Sequence, residues 1–303
     1  MELGMIGLGK MGGSMVLRLL RHGHNAIGFD LSAEVVSEYE QSGMTGADSL
    51  ETLVMQCTLP RHIWMMVPAG DAVDATIAAL TPMLEEGDVL IDGGNSDYRN
   101  TIRRARELND QGIMLVDAGT SGGIWGLEEG YCLMVGGDEQ AVERLVPVFD
   151  ALACDGSEGW GHVGPAGAGH FVKMVHNGIE YGMMQAYAEG FAIMAESDRF
   201  DLDNHAISQI WRHGSVVRSW LLDLTADALE EDAELHDIAP FVPDSGEGRW
   251  TVREAIDLNV PAPVITASLL QRIQSRDDRS FAYRLLSAMR NRFGGHSVKR
   301  RGS

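Results

Sequence analysis

The run Gly7-Leu8-Gly9-Lys10-Met11-Gly12 constrains this chain more than any other feature. It lies between an apolar stretch that reads as a strand, Leu3–Gly7, and an amphipathic stretch that reads as a helix, Met11–Arg21. A glycine-rich turn in that setting leaves the unpaired N–H groups of a helix N-terminus facing whatever sits beyond the strand, and phosphate is the ligand they suit. Gly7 permits the tight turn, Gly9 lets the backbone approach a diphosphate, and Gly12 lets helix and strand pack closely. An acidic residue, Asp30, closes the next strand, Asn25–Asp30, where a carboxylate can accept hydrogen bonds from an adenosine ribose. The pattern predicts a dinucleotide site. Asp30 would repel a 2′-phosphate, and Leu31-Ser32 offer no arginine to offset it, so the expected cofactor is NAD rather than NADP. The expected cofactor contacts are Gly7, Leu8, Gly9, Lys10, Met11, Gly12 and Asp30, with Val67 and Asn95 at the ends of later strands.

Those later strands are Ile63–Val67, Val89–Asp92, Met114–Asp117 and Cys132–Val135. Helix-like stretches such as Ala33–Gln41, Thr101–Asn109 and Glu139–Leu152 lie between them. Such alternation implies βαβ units, a parallel sheet, right-handed crossovers and helices on both faces. Past Gly159 the character changes: Gly161–Gly169 reads as a connection, and the remainder has helical periodicity punctuated by Pro240, Pro243, Pro261 and Pro263. The expected fold is α/β, with an N-terminal Rossmann-type doubly wound domain over residues 1–165 and an all-α C-terminal domain over residues 166–303. A length of 303 residues accommodates both.

Charge narrows the partners. Lysine and arginine number 24 against 44 aspartate and glutamate, a net charge of −20. Nucleic acid and anionic membrane are repelled by such a surface, and neither is expected as a partner. An anionic substrate is repelled too, so it must be held by a local cluster of cations. No stretch approaches the roughly 20 apolar residues of a membrane span. Met1-Glu2-Leu3-Gly4 runs directly into a strand rather than a secretory leader, so a cytoplasmic location is expected. Cys57, Cys132 and Cys154 form no CxxC pair and read as reduced, structural thiols. The sequence shows no metal-ligand spacing.

Three further segments bear on chemistry. Asp92-Gly93-Gly94-Asn95-Ser96 falls just beyond the fourth expected strand and Gly119-Thr120-Ser121-Gly122-Gly123 just beyond the fifth, where ligands of open parallel sheets sit. Each alone is equally a turn with incidental polar residues. The third is Lys173-Met174-Val175-His176-Asn177-Gly178-Ile179-Glu180-Tyr181. At 100° per residue, Lys173, His176, Asn177, Glu180 and Tyr181 share one helical arc of about 140°. Val175, Ile179, Gly182, Met183 and Ala186 take the opposite side, which can pack. A plain solvated face with one Lys/Glu pair is the competing reading. The mixture of amine, imidazole, amide, carboxyl and phenol speaks for a site, while periodicity alone leaves both readings open.

KMVHNGIEY, together with the DGGNS and SGG segments and the C-terminal Arg290-Asn291-Arg292-Phe293-Gly294-Gly295-His296, resembles 6-phosphogluconate dehydrogenases over nearly the whole chain. One copy of the helical domain resembles the family's short form. The resemblance implies oxidative decarboxylation of 6-phosphogluconate to ribulose 5-phosphate and CO2 with reduction of NAD. Carried over by position, it implies Lys173 as general base on the C3 hydroxyl and Glu180 as the acid that protonates the enediol. It implies Asn95, Ser121, Gly122, Gly123, His176 and Asn177 as contacts to the sugar acid, Tyr181, Arg272 and Arg290 as contacts to its phosphate, and His296 near its hydroxyls. For Lys173 to act as base it must be neutral when substrate binds. Once protonated, it can donate back to the C3 oxygen as CO2 leaves, the role a metal would otherwise fill. Arg249-Trp250-Thr251 resembles a Lys-Trp-Thr segment of the family, but a phosphate-binding lysine of the long form is Ser245 here. The resemblance also implies a homodimer or homotetramer in which the tail bearing Arg290 and His296 closes over a neighbouring subunit's substrate.

Two rivals stand beside this reading. A β-hydroxyacid dehydrogenase shares the layout and the lysine base, but its unphosphorylated substrates do not need a cationic tail. A dinucleotide-binding sensor without catalysis has no need of both Lys173 and Glu180.

Overall fold

Leu3 and Met5 pack on one side of the first strand and Ile6 on the other, each into a separate apolar cluster. The same alternation recurs at Trp64 against Ile63 and Met65, and at Val89 and Ile91 against Leu90. A strand apolar on both sides must be covered on both, the situation of a parallel sheet flanked by helices. The structure, a computed structural model, describes residues 1–154, 156–277 and 280–294.

The elements run β1 (Glu2–Ile6), α1 (Lys10–Arg21), β2 (Asn25–Phe29), α2 (Ala33–Glu40), β3 (Thr45–Gly46), α3 (Leu50–Gln56), β4 (His62–Met65), α4 (Asp71–Leu80), β5 (Val89–Asp92) and α5 (Tyr98–Asn109). They continue with β6 (Met114–Ser121), α6 (Gly126–Glu129), β7 (Cys132–Gly136), α7 (Glu139–Leu152) and β8 (Trp160–Gly164). Helices follow: α8 (Ala168–Ala195), α9 (Asn204–Trp211), α10 (Trp220–Glu231), α11 (Glu247–Asp257), α12 (Pro263–Gln274) and α13 (Phe281–Gly294). The eight strands form one sheet in the order β3-β2-β1-β4-β5-β6-β7-β8. The order reverses at β1, which pairs with β2 on one side and β4 on the other. The loop that leaves β1 toward α1 therefore opens at the topological switch point, the ligand position of such sheets. The chain divides into two compact units, Met1–Asn177 and a second that begins at Gly178.

Several expectations are corrected. The sheet is mostly but not wholly parallel: β7 runs antiparallel to β6. Only a short turn and the one-turn α6 join them, and a parallel return needs a crossover of a dozen or more residues. Gly161–Gly169 is not all connection, because β8 extends to Gly164 and pairs with β7, while α8 is under way from Ala168. Gly119, Thr120 and Ser121 lie inside β6 rather than beyond it, paired with Met134, Leu133 and Cys132. Val67 falls outside β4, which ends at Met65. The helix expected from Thr101 starts at Tyr98, because Asp97 caps it by accepting from the Arg99 N–H at 2.9 Å.

The side of α8 expected to pack is instead partly open in the single chain, with Ile179 53% and Met183 38% exposed. The polar arc is the more buried side, with Lys173, Asn177 and Tyr181 all largely out of solvent. Of the cysteines, Cys57 is buried, and burial pushes its thiol up to about 12; Cys132 is exposed and does not match the structural reading.

Candidate active site

The loop after β1 has the geometry of an anion cradle. Gly7 adopts φ +91°, and a Cβ there would lie 2.4 Å from the Met66 carbonyl oxygen. A Cβ on Gly12 would lie 2.0 Å from the Gly7 oxygen, so helix and turn approach as only glycines allow. Gly9 caps α1 without any side-chain hydrogen bond, and the space where its Cβ would stand is open. The first-turn N–H groups of α1 are thus left to an incoming ligand. Asp30 belongs to the same assembly: its Oδ2 accepts from the Leu8 N–H at 2.8 Å and its Oδ1 from the Ser32 N–H at 3.0 Å. One carboxylate has about four acceptor positions, so bracing the loop leaves capacity for ribose hydroxyls. A cleft of about 540 Å³ opens beside it, lined by Asp30, Leu31, Gly46 and Ala47 among others. The residues present fit a dinucleotide.

The loops after β4 and β5 are tied together by a side chain that the sequence alone does not single out. Arg104, fully buried on α5, donates to both oxygens of Asp74 at 2.9 and 3.0 Å and to the Gly70 carbonyl at 3.1 Å. Its other nitrogen lies 3.5 Å from both Asp92 Oδ2 and Ser96 Oγ. Asp92, also buried, accepts from the Gly94 N–H at 3.1 Å and the Ser96 hydroxyl at 2.8 Å. The Val67 oxygen sits 3.1 Å from where a Gly94 Cβ would be, so the two loops touch. Asn95 stands exposed at the tip between these anchors.

Lys173 is placed by the contact of α8 with β6. Asp117, at zero exposure, accepts from the Gly167 and His170 N–H groups at 2.6 and 2.8 Å and so caps the helix. His170 is also buried, its Nδ1 2.8 Å from the Thr101 hydroxyl. A Cβ on Gly119 would fall 2.4 Å from the Lys173 Cβ and 2.9 Å from the Gly169 oxygen. The strand backbone thus presses directly on the lysine stem. Lys173 is 6% exposed. His176 Nδ1 lies 3.0 Å from Asn177 Oδ1 and 3.5 Å from Lys173 Nζ. Gly119→Ala inserts a methyl where there is no room. The start of α8 must move, with an expected stability loss of about 1–3 kcal/mol and a fall in turnover, measured by thermal unfolding and steady-state assay. An equally stable and active variant would show that α8 does not depend on this contact.

Ser121, Gly122 and Gly123 follow at the β6 exit, the first two half-buried. Farther along α8, Glu180 is half-buried and Tyr181 buried. Within the second unit, the Arg272 guanidinium carbon lies 3.4 Å from the Tyr181 ring centroid. Arg290 is exposed on α13 and makes no ion pair among the described residues; His296 lies outside them. Arg104, Asp117 and His170 are site-forming residues that sequence reasoning missed. A charged residue on an amphipathic helix carries no sign that it is buried. Asp117, at the end of an expected strand, was the one detectable hint.

Fold and loop geometry together define a dinucleotide-binding α/β protein with an appended helical region. The family description "NAD binding domain of 6-phosphogluconate dehydrogenase" matches residues 2–161, and "6-phosphogluconate dehydrogenase, C-terminal domain" matches residues 169–282. The chain belongs to the 6-phosphogluconate dehydrogenase family. A Haloferax volcanii relative named as an NAD(+)-dependent, decarboxylating 6-phosphogluconate dehydrogenase is 48% identical over 302 residues, covering 99% of each chain. The solved 6-phosphogluconate dehydrogenase of Plasmodium falciparum is 28% identical with a TM-score of 0.84, covering all of this chain and 67% of that one. A 3-hydroxyisobutyrate dehydrogenase of Mycobacterium tuberculosis is similar at TM-score 0.71 and 20% identity, covering 91% of this chain and 94% of that one. The last is a likeness of fold alone.

Proposed function

We propose that the chain oxidises and decarboxylates 6-phosphogluconate to ribulose 5-phosphate and CO2 with NAD. The observation that carries this reading is the polar arc of α8, with Lys173 buried against β6 and in reach of His176, which in turn meets Asn177. The name of the 48% identical relative supports it. Gly7, Leu8, Gly9, Lys10, Met11 and Gly12 would hold the diphosphate of NAD, with Asp30 on the ribose and Val67 and Asn95 toward the other end. Bound NAD supplies the hydride acceptor. Lys173 removes the C3 hydroxyl proton and then, as an ammonium, donates to the C3 oxygen while the carboxylate departs as CO2. Glu180, two turns along the same helix, delivers a proton to C1 of the enediol. Asn95, Ser121, Gly122, Gly123, His176 and Asn177 orient the sugar acid, and Tyr181 and Arg272 receive its phosphate.

Arg290 and His296 complete the site from a neighbouring subunit of a cytoplasmic homodimer or homotetramer. The apolar residues that α13 leaves exposed, Phe281, Tyr283, Leu285 and Met289, support cover by a second copy. The deciding assay follows reduction of NAD and NADP by absorbance with 6-phosphogluconate as substrate, alongside CO2 release, and repeats it with 3-hydroxyisobutyrate. Turnover of the unphosphorylated acid alone would replace this reading with the β-hydroxyacid one.

Cofactor choice has its own test. Leu31 is almost fully exposed, so an arginine there reaches solvent beside Asp30 without displacing anything. Asp30→Asn with Leu31→Arg keeps an acceptor for the Leu8 N–H, removes the repelling charge and adds a cation. The ratio of kcat/KM for NAD over NADP should fall by about tenfold or more, the scale of a single charge-assisted hydrogen bond. An unchanged ratio would remove Asp30 from cofactor discrimination.

A further inference from the structure

The second unit holds guanidinium groups near Tyr181 beyond those named so far. The Tyr181 hydroxyl is buried and has no hydrogen-bond partner among the described residues. Arg272, stacked on its ring, donates only to the Pro243 carbonyl and weakly to the Met184 sulfur, and pairs with no carboxylate among the described residues. A buried phenol left unsatisfied is costly unless a ligand accepts from it, and Arg272 beside it can donate to the same ligand. Gly248 packs against the same ring: a Cβ there would lie 2.5 Å from Tyr181 Cε2. The next residue, Arg249, lies near enough for the Tyr181 phenol to act on it electrostatically.

Arg249 is held in a fixed pose. Its Nε and Nη2 donate to the two oxygens of Asp244 at 2.8 and 3.1 Å, and Arg276 donates to the second of these at 2.8 Å. The Asp244 side chain is 4% exposed, and Arg249 first, Arg276 after it, holds its carboxyl below the usual range. Asp244 thus stays ionised and fixes both guanidinium planes. Arg249 commits two of its donors to this tether and keeps Nη1, on a side chain 48% exposed. Two arginines on one aspartate leave a surplus positive charge. Glu247, buried nearby, accepts from the Ser245 hydroxyl. A phosphate monoester is close to a dianion, more charge than Arg272 alone can balance.

We propose that Arg249, tethered to Asp244 alongside Arg276, is a specificity-determining residue that supplies a second guanidinium from the same subunit for the substrate's phosphate, beside Tyr181 and Arg272. This assignment rests on the reading of the substrate as a phosphorylated sugar acid. Arginine suits the role because its planar fork can hold Asp244 through one edge and still offer a donor to a phosphate oxygen. Position 245, a serine with no charge to give, is compensated by these neighbours.

The test compares Arg249→Met and Arg249→Lys with wild type in two measurements: steady-state kinetics with 6-phosphogluconate and NAD, and calorimetric titration with inorganic phosphate. For Arg249→Met, KM for 6-phosphogluconate should rise by about tenfold or more, by a larger factor than kcat falls. Phosphate affinity should weaken by a similar factor, while KM for NAD stays at its wild-type value and the protein remains folded, because Arg276 still pairs with Asp244. Arg249→Lys should recover part of both losses, since a point charge replaces some of the fork. A KM and a phosphate affinity both within about twofold of wild type would overturn the assignment, as would loss of NAD affinity in parallel, which marks general damage. If wild type binds phosphate but does not turn over 6-phosphogluconate, and Arg249→Met abolishes that binding, the subsite stands and the proposed reaction falls.

Discussion

Lys173→Met is expected to lower turnover of 6-phosphogluconate by roughly 10²–10⁴-fold, the range of a positioned general base. Methionine is close to lysine in length and flexible enough to fill the buried slot against Gly119, so the packing of α8 should survive. NAD affinity should stay near wild type, because the groups assigned to it, Gly7–Gly12 and Asp30, keep their own hydrogen bonds. Titration with NAD and a single-turnover assay separate these effects. Substantial remaining turnover would take lysine out of the mechanism. Mixing this variant with Arg290→Ala extends the experiment to the proposed sharing of sites. Each pure variant should be nearly inactive, while hybrids would contain one site with both residues. Recovered activity after subunit exchange supports a tail that crosses between subunits, and no recovery would place Arg290 in its own subunit's site or outside it.

Arg104→Met should destabilise the protein by about 3–5 kcal/mol, the usual consequence of removing one partner of a buried ion pair. The substitution leaves Asp92 buried without its cation and frees the Gly70 carbonyl and Ser96 as well. Neutralising the orphan should help, so Asp92→Asn added to Arg104→Met should return part of the loss, measured by urea unfolding in a double-mutant cycle. If the single variant unfolds at the wild-type urea concentration, the clamp does not support the fold. The pH dependence has a defined sign. Arg104 chiefly, with Arg103, holds the Asp74 carboxyl well below the usual carboxylate range. A depressed folded pKa stabilises above the unfolded value near 4, and that contribution is lost as pH falls through the folded value. Wild type should therefore lose this contribution on acidification, and Arg104→Met should show a shallower acid decline. Because Asp74 is partly exposed, solvent and salt screen the effect.

The elements most legible in the sequence were those where local chemistry and tertiary context agree. The glycine turn between β1 and α1, with Asp30 at the end of β2, is such a place, since its backbone demands can be met by few residues other than glycine. Strand positions were equally readable where an apolar run was bounded by turn residues, as at Val89–Asp92. The polar arc of α8 could be drawn from its periodicity, although the assignment of its roles came from resemblance to a family. Where β6 ends and β7 turns back could not be read in the same way, because strand direction is decided by the partner and not by the residues of the strand.

What the sequence determined by itself was the dinucleotide loop, the succession of strands and helices, and which α8 residues share a face. Those features follow from backbone freedom at glycine and from the repeat of each element, both of which are local. Only the tertiary structure decided that this face is the more buried one and that Gly119 meets the stem of Lys173. The structure alone revealed that Asp117 caps α8, that Arg104 joins two loops, and that Arg249 is tethered to Asp244. Each of these contacts joins residues separated along the chain, and the energy that selects them, burial of a charge with its partner, exists only once the chain has brought both into the same low-dielectric place.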